Sequence, residues 1–277
     1  MRYGTGFDTR VPRDFIGKSR ANRASCAHNA RMPATASDHA TDLRNDGSRI
    51  LRVVIHGSNG RMGQRIAACI PIDGRCHAVR CIDREDEHGL RAGDADALLD
   101  FSSDEGASRA AAIAAELGCA LLVGTTGLSQ ASLEAVARAS SRVPAMVAPN
   151  TSLGVAVARR LAAEAARMLR EYDVDIVETH HARKLDAPSG TARSLAEAVA
   201  AGRGKPVNPD NIHSIRAGDV VGEHAVTWSG PGERVTVAHV ATGRDLFALG
   251  ALRMARWLAG RPAGLHAPDD WFADFAR

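Results

Sequence analysis

Aliphatic, β-branched runs alternating with helical periodicity predict an α/β protein, a Rossmann-type doubly wound parallel sheet. A glycine-rich turn between the first run and the first helix points the same way. Beyond Pro149-Asn150 the rhythm changes to one long Ala-rich helix and then strand candidates parted by Gly-rich turns. That change predicts a second α+β domain with a mixed, largely antiparallel sheet.

The elements follow in order. Residues 50–55, ILRVVI, have the near-continuous apolar pattern of a strand buried on both faces. A helix over 60–70 leads to strands at 77–82 and 97–101, a helix at 105–117 and a strand at 120–123. A helix at 128–140 and a strand at 144–148 complete the first sheet. In the second part, Ser152 is placed to cap a helix over 152–169. A strand at 175–179, a helix at 191–201 and strands at 212–217, 223–229 and 234–240 come next. The last helix, 246–259, carries Leu246, Leu249, Leu252, Met254 and Leu258 at helical spacing. No internal repeat is visible. Residues 1–48 lack apolar periodicity, are rich in Arg, Asn, Ser and Asp, and read as a disordered extension. Asp8, Asp14, Asp38, Asp42 and Asp46 count against an organelle transit peptide, which is poor in acid.

Bulk properties exclude several classes. A formal charge of +3 with scattered Lys and Arg lacks the concentrated basic face that nucleic acid or a membrane surface requires. No apolar run reaches the roughly 20 residues of a spanning helix. Five cysteines form no CxxC pair, so reduced thiols in a cytoplasmic protein are expected. Aromatics at 4% mean that Ala, Val, Leu and Ile build the core.

The first strand runs into HGSNGRMG, residues 56–63. Gly57, Gly60 and Gly63 keep the frame of a dinucleotide turn, with G-x-x-G-x-x-G in place of the commoner G-x-G-x-x-G. Such glycines make the tight turn, admit a pyrophosphate to the backbone and pack helix on strand. Asp83 and Arg84 end the second strand, where an acid takes ribose hydroxyls and an arginine a 2′-phosphate. NADPH and NADH therefore both look usable. Gly124, Thr125 and Thr126, and Ala148, Pro149, Asn150 and Thr151, are polar turns at strand ends. Ligands of open parallel sheets lie along that edge, although both turns also suit plain turn chemistry.

The densest chemistry is in ETHHARKLDAPSGTA, residues 178–192. His180 and His181 lie where a strand ends, and alternation lets only one of them face a given ligand. Lys184 follows, and Ser189-Gly190-Thr191 opens a helix whose free N–H groups form a carboxylate cradle. An anion site, imidazoles and an ammonium suit a small dianionic substrate that must receive a proton. A zinc site from His180, His181 and a cysteine is set aside, because adjacent histidines diverge.

These motifs resemble one family. GSNGRMG, DFSS at 100–103, VGTTG at 123–127, APNTSLGV at 148–155 and the histidine–lysine–SGT segment are similar to dihydrodipicolinate reductase, also called 4-hydroxy-tetrahydrodipicolinate reductase. SIRAGDVVGEH at 214–224, GERVTVAH at 232–239 and the Arg244 segment extend the likeness to about residues 49–264. The resemblance implies an NAD(P)H-binding domain of residues 49–150 plus 245–277, and a substrate and oligomerisation domain of 151–244 that builds a homotetramer. It implies reduction of hydroxy-tetrahydrodipicolinate, with loss of water, in diaminopimelate and lysine biosynthesis. By position, His180 and Lys184 would be the proton-donor pair, and His181, Ser189, Gly190 and Thr191 would hold the substrate dicarboxylate. Gly57, Ser58, Asn59, Gly60, Arg61 and Met62 would hold the pyrophosphate. Asp83 and Arg84 would take the adenosine ribose, and residues 124–126 and 148–151 the nicotinamide end. No metal is implied. Thr151 stands where the family often has an apolar residue, Ala182 where it is often basic, and residues 83–96 are short, as if a strand–helix pair had been trimmed. Two other readings are a different two-domain NAD(P) dehydrogenase acting on an amino or imino acid, and a catalytically idle nucleotide sensor. The intact His180, Lys184 and Ser-Gly-Thr set favours an enzyme.

Overall fold

In the computed structural model, which describes residues 49–275 other than 85 and 87, the first apolar run forms strand β1, Leu51–His56. The expected extension, residues 1–48, lies outside the described residues. Helix α1, Arg61–Asp73, leads to β2, Cys76–Ile82, and β3, Ala97–Asp100. Helix α2, Asp104–Leu117, precedes β4, Ala120–Val123, and helix α3, Gln130–Ser140, precedes β5, Pro144–Val147. Helix α1 runs past Pro71, which removes one late hydrogen bond, and Gly74 closes it in a left-handed cap with its N–H on the Ile70 carbonyl.

The sheet is wholly parallel, in the order β10-β5-β4-β3-β1-β2, where β10 is Gly264–His266 near the C-terminus. Val53, Ile55, Leu99 and Leu122 face α1 and helix α6, Asp245–Ala259. Val54, Leu98 and Leu121 face α2 and α3. Both faces are covered, hence the continuous apolar reading of these strands. Between β2 and β3 the described residues carry no helix or strand, so the sheet stops at β2 and the abbreviated segment is a loop.

Helix α4, Leu153–Met168, starts from Ser152, whose hydroxyl accepts the Val155 N–H. Then come β6, Asp173–His180, and α5, Gly190–Arg203. Strands β7, Ile212–Arg216, β8, Gly222–Gly230, and β9, Glu233–Ala241, complete a four-stranded sheet ordered β7-β6-β8-β9. Strand β6 pairs parallel with β7 and antiparallel with β8, which pairs antiparallel with β9. One face packs on α4 and α5 around the fully buried Trp228. The other exposes Val177, Ile215 and Val240.

Strand β10 and a last helix α7, Pro268–Phe275, carry no counterpart in the sequence reading. A three-residue strand has too few residues to show a period. No helix among the described residues is long and apolar enough to cross a membrane. Cys69, Cys76 and Cys119 are free, buried thiols.

Candidate functional site

The turn after β1 is built around a steric exclusion. Gly57 has φ +79°, and a Cβ there would lie 2.6 Å from the Phe101 carbonyl oxygen. Helix α1 begins at Gly60 with no side-chain cap and no acidic residue in its first turn. Its leading N–H groups therefore remain available to an anion.

A cleft of about 770 Å³ opens beside this turn and brings Gly57, Gly60, Asp83 and Arg84 together, with Phe101 and Arg109 in its wall. Asp83 accepts the N–H groups of Asn59, at 3.0 Å, and Arg84, at 2.9 Å. Burial opposes its charge, but these two N–H groups outweigh that and hold the carboxyl below its ordinary range. Arg109 donates to the carbonyls of Asp83, Arg84 and Asp86 and so braces the loop. Ser58, Asn59, Arg61 and Met62 are not in that lining, and the Met62 side chain packs toward the core.

The other two turns are placed differently from the sequence expectation. Thr125 is buried, and its hydroxyl donates to Asp100 at 2.6 Å. Asp100, itself fully buried, also meets Ser102 Oγ and, at 2.7 Å, His56 Nδ1. The Thr151 hydroxyl donates to the Phe247 carbonyl at 2.7 Å, inside the protein. These turns therefore offer a ligand their backbone, Asn150 and the exposed Thr126 rather than the Thr125 and Thr151 side chains. Thr151, where the family often has an apolar residue, thus turns its hydroxyl toward α6.

Asn150 links the two halves. Its Nδ2 donates to Thr191 Oγ1 at 3.1 Å, so the turn after β5 touches the first turn of α5. At that helix start Ser189 is the N-cap, accepting the Ala192 N–H at 3.1 Å. Its hydroxyl is thereby committed to the cap, and the N–H groups of Gly190 and Thr191 are the free first-turn donors.

Alternation along β6 turns Val174, Ile176, Glu178 and His180 inward. His181 lies beyond the strand, half-buried, with Nδ1 unpartnered among the described residues. Burial, then the charges of Arg183 and Arg244, lower its affinity for a proton. Lys184 is paired with Asp186 at 2.7 Å rather than with His180. His180 Nδ1 is hydrogen-bonded to Glu178 Oε2. Glu178 Oε1 accepts from Arg216 Nη2 at 2.8 Å and from the Ser189 N–H at 3.2 Å. Burial would raise the Glu178 carboxyl, but hydrogen bonds from Arg216, Ser214 and His180 bring it down to about 2.

The His224 ring stands edge-on to His180, with centroids 5.0 Å apart, and Nε2 lies 3.3 Å from Ser189 Oγ. Burial, then the neighbouring His180 and His239, push His224 down to about 4. Glu178, His180 and His224 also offer donor atoms within 4.8 Å of one another, as a metal site would. The Glu178 charge is, however, already met by Arg216 and His180. Sequence reasoning passed over Glu178, Arg216 and His224, although Glu178 sits two residues before His180, the spacing of side chains on one face of a strand.

Fold and site together define a two-domain, Rossmann-type oxidoreductase. Residues 51–151 match the model of the dihydrodipicolinate reductase N-terminus, and residues 154–271 that of its C-terminus. The 4-hydroxy-tetrahydrodipicolinate reductase of Stenotrophomonas maltophilia (strain K279a) is 43% identical over 237 residues, covering 79% of this chain and 97% of that protein. The enzyme of the same name from Anaeromyxobacter sp. (strain Fw109-5) is 37% identical, covering 78% and 96%. In fold, the chain is similar to the dipicolinate-bound dihydrodipicolinate reductase from Paenisporosarcina sp. TG-14, with a TM-score of 0.64 at 22% identity over 79% of this chain and 97% of that one. The chain belongs to the dihydrodipicolinate reductase family.

Proposed function

We propose that this chain reduces 4-hydroxy-tetrahydrodipicolinate to tetrahydrodipicolinate, with loss of water, in the diaminopimelate route to lysine, using NADPH or NADH. The Asn150–Thr191 hydrogen bond carries the reading, because it sets a cofactor-side turn against the helix start suited to a substrate carboxylate. Two features support a dinucleotide at the glycine turn: a side chain at Gly57 would collide with the Phe101 and Ser102 backbone, and the first turn of α1 holds no acidic residue. When bound, the cofactor supplies a hydride.

The protein's own groups do the rest. Gly57, Ser58, Asn59, Gly60 and Arg61 approach the pyrophosphate, and Asp83 and Arg84 the adenosine ribose. Backbone at 124–126 and 148–150 seats the nicotinamide end. The N–H groups of Gly190 and Thr191, with His181, grip one carboxylate, inside a field made positive by Arg183, Lys184 and Arg244. His180 and Lys184 are the candidates for the proton that accompanies the hydride. Residues 49–150 with 245–277 act as the nucleotide domain and 151–244 as the substrate domain. The protein works in the cytoplasm as a homotetramer; Val177, Ile215 and Val240, exposed on the outer face of the second sheet among polar residues, support its association with further copies. The test is NADPH absorbance with the product of the preceding synthase as substrate. Consumption that requires both reactants supports the reading, and no consumption with either cofactor overturns it.

A further inference from the structure

The register of the second sheet sets its polar inner face in two rows. One row runs Ser214, Glu178, His224 and His239 across β7, β6, β8 and β9, and the next sets Arg216 beside His180. Residues opposite one another in register share a face. A fully buried carboxylate thus lies among the sheet's imidazoles, although most of that face is apolar core. Burying such a charge is costly unless every lone pair is used. Here one oxygen meets His180 Nδ1, and the other meets Arg216 and the Ser189 N–H.

The far side of the imidazole is different. A Cβ at Gly222 would come within 3.0 Å of His180 Nε2, so glycine there leaves room beside that nitrogen. Arg216 also donates to the Asp186 carbonyl, and the Ala217 N–H donates to the His180 carbonyl at 2.8 Å. Strand β7 therefore holds the carboxylate, the His180 backbone and the Lys184 loop in one assembly.

We propose that Glu178 is the positioning residue of the proton-donating site: its carboxylate fixes the His180 ring and keeps a proton on Nδ1, so that Nε2 is the nitrogen that exchanges a proton with substrate. The inference rests on the reductase reading above and adds a residue to it. A carboxylate on the back of an imidazole sets the tautomer and favours the imidazolium, the loaded form of an acid. Arg216 keeps Glu178 in place and offsets part of its charge. His224 and His239 from the sheet, and His181 and Lys184 from the loop, are the other titratable groups around the ring. The hydrogen-bond partner of Nδ1 is Glu178.

The test compares Glu178→Gln, Glu178→Asp and His180→Gln in the full chain, with NADPH and the synthase product. Glu178→Gln should lower kcat at least about ten-fold. It should also move the limb where activity is lost on raising pH toward lower pH by about one unit. NADPH affinity should stay near wild type, the melting temperature should fall because Arg216 loses its charged partner, and Glu178→Asp should restore part of the limb's position. A wild-type profile and kcat in Glu178→Gln would overturn the proposal, as would a rise in KM alone. If Glu178→Gln does not fold, imidazole nitrogen spectra of the wild type decide. A neutral His180 protonated on Nδ1 supports the proposal, and one protonated on Nε2 refutes it. Wild-type protein that consumes neither NADPH nor NADH would end the reductase reading separately, because the His180 tautomer is measured without turnover.

Discussion

Gly57→Ala is the sharpest test of the nucleotide turn. At φ +79° an L residue costs about 1–2 kcal/mol relative to glycine. The added carbon would lie 2.6 Å from the Phe101 carbonyl oxygen and 2.8 Å from Ser102 Cα. Both neighbours are backbone, so neither can turn away as a side chain would. Displacing the turn adds about 1–3 kcal/mol, for a total of about 2–5 kcal/mol. In a chain of this size that lowers the melting temperature by roughly 4–20 °C. The displaced turn should also weaken NADPH binding at least ten-fold, about 1.4 kcal/mol, in a fluorescence titration. Gly74→Ala is the control, since Gly74 has φ +66° but nothing within 4 Å of its added carbon. It should cost only the conformational term of about 1–2 kcal/mol and leave NADPH affinity untouched. Equal NADPH affinity in the two variants would show that the turn does not seat the cofactor.

Three further outcomes follow from the site and the core. Lys184→Ala should reduce kcat by about a hundred-fold or more while NADPH affinity stays constant; parallel loss of both would move Lys184 out of the reaction centre. Trp228→Ala should destabilise by about 3–5 kcal/mol in denaturant titrations, because the ring is fully buried between the second sheet and its helices. His224 is held neutral, with its folded value pushed down to about 4, so below its unfolded value of about 6.5 the unfolded state takes up the proton more readily. Its stabilising contribution is therefore complete above that value and is lost as pH falls toward 4; a melting temperature that stays flat from pH 7 to 4.5 would contradict this.

Strands β1, β3 and β4 were legible because they are buried on both faces, and ILRVVI or ALLV leave little else for the chain to form. The cap at Ser152 could be read from residue type alone, and its hydroxyl accepts a helix N–H as that chemistry requires, whereas Ser189, expected to hold substrate, spends its hydroxyl capping α5. What a residue type cannot disclose is which partner claims it. Thr125 and Thr151 look like ligand hydroxyls in sequence, yet Asp100 and the Phe247 carbonyl, distant along the chain, take them inward. Glu178 was missed for a related reason. An acid in a strand reads as solvent-facing until register sets Arg216, His180 and the Ser189 N–H around it. Strand β10 pairs with β5 through three residues only, and its place at the sheet edge depends on chain reversal after α6 rather than on any local signal.

For the reduction to occur, a nicotinamide and a dicarboxylate must meet between the turn at Asn150 and the mouth of α5. An interligand nuclear Overhauser measurement on the protein saturated with NADPH and dipicolinate tests this directly. A cross-peak between the nicotinamide C4 hydrogens and the dipicolinate ring, lost when either ligand is omitted, is the expected result. Two bound ligands with no cross-peak between them would place the sites apart and contradict it.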